Sequence, residues 1–410
     1  MKRLVAALAL ALAAPGLAAP AAKEAASPEV YLSEDGQTVY LIGTLREGSF
    51  LKFDAALQDA PKARWLFLAS PGGLTIEGRL IAALVRKRGL DTYVEYYCAS
   101  ACTQVFVAGR QRVIGKEAAL GFHQAAVVDA KGRTKGVRLP TTRKLTATTV
   151  FGINGNDTLR LAYELAGIDP QFIDKVLQQS HSDMWEPAAP ELLAAKVVTR
   201  LAERPELLLP PRAVSRAEVT ARIAQLPLWR QVKQSYPSEF ERAAADTWRL
   251  ANSGAGLETA ISLTRADLTR LINPRLLTAS DDLLDRMLAL HARTAREQRE
   301  RDYPLCDRDR LIDNRPPDPA QAAFERNEDL LLAEALGSPA VSTPPPRDVA
   351  INLLANEVMP LIGKSYRRGD ADSGAGGCRM SYRTYEAIGD LPKEKRVRVF
   401  RALLAYPKLI

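Results

Sequence analysis

Residues 65–109 read WLFLASPGGLTIEGRLIAALVRKRGLDTYVEYYCASACTQVFVAG, and the order of signals in this stretch decides the fold. A short apolar run, Trp65–Ser70, stops at a Gly-Gly pair. Apolar residues then recur at helical spacing: Ile76, Leu80, Ile81, Leu84 and Val85 share a face, and Gly89 ends the helix. A second strand-like run covers 92–97, and a helical pattern follows over 99–108. Strand, helix, strand, helix with apolar strands predicts an α/β core with a largely parallel sheet.

Upstream, TVYLIGTL (38–45) has strand composition, and residues 24–36 read as a short leader of the mature chain. Downstream, RVI (112–114) and AALGFHQ (118–124) are short strands, the charged, Gly-containing stretch 126–145 is a loop, and 158–166 and 170–180 are helical. The proline-rich ERPELLLPPRAV (203–214) is a linker. Beyond it the pattern is almost wholly helical, opening with a capping box between Ser215 and Glu218. The expected organisation is an α/β domain over 28–205 and an all-α domain over 206–410, with no repeat period.

The N-terminus, MKRLVAALALALAAPGLAAPAAK, has a basic start, an apolar run from Leu4 to Leu17 and a small-residue tail. That is the pattern of a secretory signal peptide over 1–21, with cuts after Ala18 or Ala21. The run is too short to span a bilayer, so a periplasmic or secreted protein is expected. The formal charge is +8, but Lys2 and Arg3 belong to the leader. The arginines of the later half are interleaved with acids, the pattern of a solvated helix surface, and nucleic acid is not an expected partner. IGKSY (362–366) lacks the leading glycine of a phosphate-binding loop, since position 358 is Val.

Export makes disulfides the natural reading of four cysteines. Three pairings exist, and the most economical joins Cys98 to Cys102 and Cys306 to Cys378. A metal site on Cys98, Cys102 and His123 is the competing reading, though no fourth ligand lies nearby in sequence. No metal and no cofactor are expected.

Three segments could carry chemistry. LASPGG ends a strand with Gly72 and Gly73, which let the backbone turn sharply and present an amide. CASACT places Ser100 where a strand meets a helix, a position that suits an N-cap and equally a nucleophile. LGFHQ places His123, one of three histidines, at a strand end 23 residues after Ser100. Together these segments resemble the ClpP-like serine peptidases, the Clp protease proteolytic subunit family of the ClpP/crotonase fold, over residues 36–203. The resemblance implies a ClpP/crotonase-like domain followed here by an all-α domain. It also implies Ser100 as nucleophile, His123 as general base, and an oxyanion hole from the amides of Gly73 and Ala101. The segment SDMWEPAAPELLAAKVVT (182–199) is similar to the one carrying the family's aspartate and points to Asp183. It has one extra residue before the helix, and Lys196-Val197 replaces Gly-Leu. His181 and Glu186 are the alternative orienting groups.

The expected substrate is a peptide or unfolded protein, with room for a homo-oligomer and no ATPase partner outside the cytoplasm. A catalytically silent ClpP-like scaffold that binds a partner through its helices is the second reading. A crotonase-like thioester enzyme ranks behind both, because the Ser/His pair is present.

Overall fold

The computed structural model describes residues 28–128, 134–136, 155–180, 183–301, 319–362 and 374–406. The expected signal peptide over 1–21, Cys306 and therefore the expected Cys306–Cys378 bridge lie outside them, as does His181. The protein is mixed α/β with a parallel-rich sheet and many helices. Strands β1 (Glu29–Leu32), β2 (Thr38–Ile42), β3 (Trp65–Ser70), β4 (Asp91–Ala99), β5 (Arg112–Gly115) and β6 (Ala119–Gly121) enter one sheet. A separate ribbon pairs β7 (Ala126–Val128) with β8 (Thr134–Gly136), and β9 (Arg200–Ala202) returns to the sheet. The order is β1-β2-β3-β4-β5-β9, with β6 beside the carboxyl-terminal half of β4. Within it only the β1–β2 pairing is antiparallel.

Two expectations change here. The stretch taken as a leader contains an edge strand: Glu29–Leu32 pairs with β2, and Tyr31 stacks on Tyr40 with ring centroids 4.7 Å apart. The 126–145 stretch, expected as a loop, contributes both strands of the ribbon. Strands of three or four residues are too short for alternation to declare them.

Six helices belong to the first part: α1 (Ser49–Asp59), α2 (Thr75–Arg88), α3 (Ala101–Phe106), α4 (Gly155–Leu165), α5 (Pro170–Gln178) and α6 (Ala189–Ala194). Their core includes Leu41, Leu66, Leu68 and Val94 from the strands with Phe53, Ile81 and Phe106 from the helices. Gly89 ends α2 in the left-handed conformation, φ 63°, as the sequence predicts. The buried face of α2 is rotated from the expected one, however: Glu77, Gly78, Ile81, Ala82 and Val85 are buried, while Ile76 and Leu80 are 45% and 37% exposed. The cause is Gly78, where an added Cβ would stand 2.7 Å from the Ala101 carbonyl oxygen. Close approach to α3, not maximal apolar burial, sets the rotation.

The other face of the sheet is aromatic, with Tyr40, Phe67, Tyr93 and Tyr96 in one cluster. The later helices cover it. The capping box opens α7 (Arg216–Ile223) as predicted, and α8 (Pro227–Ser235) and α9 (Pro237–Leu250) follow. Trp248 of α9 meets Tyr96 edge-on at 5.1 Å, and its indole N–H donates to the Val214 carbonyl at 3.1 Å. Tyr40 donates its hydroxyl to the Leu208 carbonyl at 2.8 Å, tying the 203–214 segment down on the same face. Between α9 and α10 (Leu257–Leu277) the chain kinks at Gly254, φ 90°, where an added Cβ would lie 2.5 Å from Gly43 Cα at the end of β2.

The remaining helices are α11 (Asp281–Glu300), α12 (Pro319–Gly337), α13 (Arg347–Leu353), α14 (Met359–Ile362), α15 (Gly374–Gly389) and α16 (Lys393–Ala405). They build a second core around Trp229, Ile272, Leu284, Leu288 and Phe400. Beside it the buried Arg265 donates to Asp329 at 2.5 Å and Glu328 at 2.6 Å, and Glu328 also faces His291 Nε2 at 2.9 Å. Among the described residues no helix is long and apolar enough to cross a membrane.

Because Trp248 closes the aromatic face, Trp248→Ala is expected to cost about 3–5 kcal/mol of stability, read by urea denaturation of the full chain. A loss below about 1 kcal/mol would show that the helices do not support the sheet.

Candidate active site

The site is built where β3 and β4 end side by side. Their parallel register runs Leu68↔Val94 but Ser70↔Cys98, so β4 carries two more residues than β3 over that interval. This irregularity brings the turn after β4 level with the turn after β3. Gly72 and Gly73 have φ of 100° and 133°, a region that side chains avoid. A Cβ on Gly72 would stand 2.5 Å from the Ala99 carbonyl oxygen, 2.7 Å from Ser100 Cβ and 3.0 Å from Ala101 N. The glycine turn is in turn clasped by Leu45, whose N–H donates to Gly72 O at 2.7 Å and whose carbonyl accepts from Leu74 N at 2.8 Å.

Ser100 sits at φ 53°, ψ −124°, between β4 and α3. Left-handed φ is rare for a serine and costly enough to need a cause. Its backbone is held on both sides: Ser100 N donates to Gly121 O at 2.9 Å, and Ser100 O accepts from Thr103 N at 3.0 Å and Thr103 Oγ1 at 2.6 Å. Thr103 Oγ1 is also 2.7 Å from the Tyr163 hydroxyl of α4. The Ser100 side chain caps nothing on α3, so the purely structural role of an N-cap is not what places a serine here. Cys98 and Cys102 are joined by a disulfide with Cα atoms 5.4 Å apart, and both are buried. The bridge brackets Ser100 and uses both sulfurs that a Cys98–Cys102–His123 metal site would need. Among the described residues no cluster of His, Cys, Asp or Glu is arranged to hold a metal ion.

The amides of Gly73 and Ala101 make no backbone hydrogen bond among the described residues. A Cβ on Gly72 would lie 3.0 Å from Ala101 N, so the glycine turn sits against the start of α3.

His123 follows β6, whose Gly121 carbonyl holds Ser100 N. It is half-buried, with Nδ1 shielded from solvent. The segment carrying Asp183 is brought beside it by a reciprocal pair: Phe122 N donates to Trp185 O at 2.8 Å and Trp185 N to Phe122 O at 3.0 Å. Rings of Phe122, Phe172 and Trp185 pack around this junction at 4.9–6.1 Å. The backbones thus converge, but the side chains are not joined: among the described residues no hydrogen bond links Ser100 Oγ to His123 or His123 to Asp183. Asp183 is exposed and accepts from Gln179 Nε2 at 3.1 Å.

Glu186, the alternative orienting group, lies near Tyr97 and near Arg249 and Asp246 of α9. Burial raises the Tyr97 phenol well above its ordinary value, and Glu186 adds to the rise. Two residues escaped the sequence reading. Asn156 of α4, fully buried, accepts from Ala125 N at 2.7 Å, two residues beyond His123. Arg249 donates to the Glu117 carbonyl at 3.1 Å, just before β6, so the later helices brace the strand that leads to His123. Neither carries a local sequence signal, because both contacts span long separations. No family model and no curated protein matches the chain.

The clasp predicts a contrast between two glycines of positive φ. Gly72→Ala is expected to cost about 3 kcal/mol or more, whereas Gly36→Ala, with φ 65° and nothing within 4 Å of its Cβ, should cost only about 1 kcal/mol. Equal losses in urea denaturation would mean that the turn is not close-packed.

Proposed function

We propose that the protein is an exported serine hydrolase of ClpP type, most plainly a peptidase acting on peptides or unfolded proteins. The single observation that carries this is Ser100 itself, held at left-handed φ on a strand-to-helix turn with its hydroxyl free of capping duty and with the Gly72 turn packed against it. In this reading Ser100 Oγ attacks the carbonyl carbon as its proton passes to His123. The tetrahedral oxygen is held by the amides of Gly73 and Ala101, each worth a factor of about 10²–10³. The C–N bond then breaks as His123 returns the proton to the leaving amine, and water cleaves the acyl-enzyme by the same path. In this reading the Ser100–His123 hydrogen bond closes only when substrate is present, as catalytic hydrogen bonds often do. The disulfide and the leader-like N-terminus support export.

The second reading, a silent ClpP-like scaffold, draws on the exposed Asp183 and its engagement with Gln179. A fluorophosphonate probe separates the two. Wild-type protein is expected to label and Ser100→Ala not to, with His123→Ala slowed by about 10²-fold or more. Equal weak labelling of wild type and Ser100→Ala rejects the hydrolase. The Cys98→Ala/Cys102→Ala double variant is expected to label about 10–100-fold more slowly and to lose about 2 kcal/mol of stability. Unchanged labelling would show that the bridge does not support the nucleophile.

A further inference from the structure

The helix that follows Ser100 contains a group the mechanism above does not use. Gln104 is 0% exposed, and among the described residues neither its Oε1 nor its Nε2 has a hydrogen-bond partner. A carboxamide buried with both ends unsatisfied is costly, and folded proteins rarely keep one without a reason. Its neighbour Thr103 shows the ordinary alternative, with its hydroxyl engaged by both Ser100 O and Tyr163. Gln104 lies in α3, four residues after the N-cap Ser100. Helical side chains lean toward the N-terminus, so the Gln104 side chain extends toward the first turn of α3, which begins at Ala101.

We infer that Gln104 is a positioning residue whose carboxamide dipole turns toward the charge that develops beside Ala101 N–H. The inference rests on the hydrolase reading. A dipole with no ground-state partner gives up nothing when it reorients, so its contribution exists only in the transition state. Interactions of that kind raise the rate of the chemical step and leave ground-state binding unchanged. Gln104 touches neither the substrate nor the reacting atoms; it acts through the first turn of α3.

The test uses the full-length, oxidised protein and a fluorophosphonate. Ser100 Oγ forms a bond to phosphorus, fluoride leaves, and the hydroxyl proton passes to His123. Saturable labelling separates the maximal rate, kinact, from the half-saturating concentration, KI. Gln104→Met, apolar and close in shape, is expected to lower kinact about tenfold, less than loss of a direct oxyanion donor. KI should change by less than about twofold. The melting temperature should hold or rise, because a partnerless amide has been removed. Gln104→Asn, which keeps the carboxamide on a shorter arm, should label at an intermediate rate. Equal kinact in wild type and Gln104→Met overturns the inference, and labelling of the wild type in that case leaves the hydrolase standing. A fall in kinact that follows a fall in melting temperature in both variants also overturns it, as that marks a structural amide satisfied by buried water. Absence of labelling in the wild type overturns both readings together.

Discussion

The site depends on the contact between two turns. Gly72 lies so close to Ser100 and Ala101 that a single methyl group would not fit between them, and Leu45 holds the glycine turn in place from its other side. Around this contact the other features fall into order. The register shift between β3 and β4 brings the turns level, Gly78 lets α2 lie against the Ala101 carbonyl, and Gly121 receives the Ser100 amide. A serine held at left-handed φ stores local strain that the surrounding packing must offset. The Cys98–Cys102 bridge supplies a covalent part of that support within a loop that hydrogen bonds alone would have to restrain.

The helical half is part of this support and not an appendage. Arg249 reaches the Glu117 carbonyl just ahead of β6, and Arg216 pairs with the Glu117 carboxylate. The phenol of Tyr97 and the carboxyl of Glu186 lie near Asp246 and Arg249, so α9 lies close to the segment that follows Asp183. Burial raises the Glu186 carboxyl above its ordinary value. Through Trp248 on Tyr96 and Arg249 on the Glu117 carbonyl, α9 is tied to both the strand that leads to Ser100 and the one that leads to His123.

Much of this was legible in sequence wherever the signal was local. Trp65–Ser70 is the β3 strand as read, Gly89 stops α2, and Ser215 with Glu218 forms the capping box. Cysteines four apart, read together with an expected signal peptide, declared the bridge that the structure contains. What sequence could not show depends on contacts between distant residues. Glu29–Leu32 becomes a strand only because β2 offers it an edge. The buried face of α2 follows Gly78 and its neighbour α3 instead of the largest apolar residues. Trp248 and Arg249 read as ordinary members of an amphipathic helix, with nothing to mark their partners some 130–150 positions earlier. Gln104 was silent for a different reason: glutamine is an unremarked helix former, and only coordinates show that its amide is enclosed without a partner.

The aromatic side of the sheet has a consequence for the order of assembly. Tyr40, Phe67, Tyr93 and Tyr96 are all present once the first hundred residues have been made, yet Trp248 arrives only some 150 residues later. A growing chain emerges N-terminus first, so for that interval the strands would present four large rings to solvent or to any other apolar surface they meet. The strands that lead to Ser100 thus reach their final environment only after the chain has grown to about two and a half times that length, and the surroundings of β4 are completed by the arrival of α9 rather than by the strands themselves.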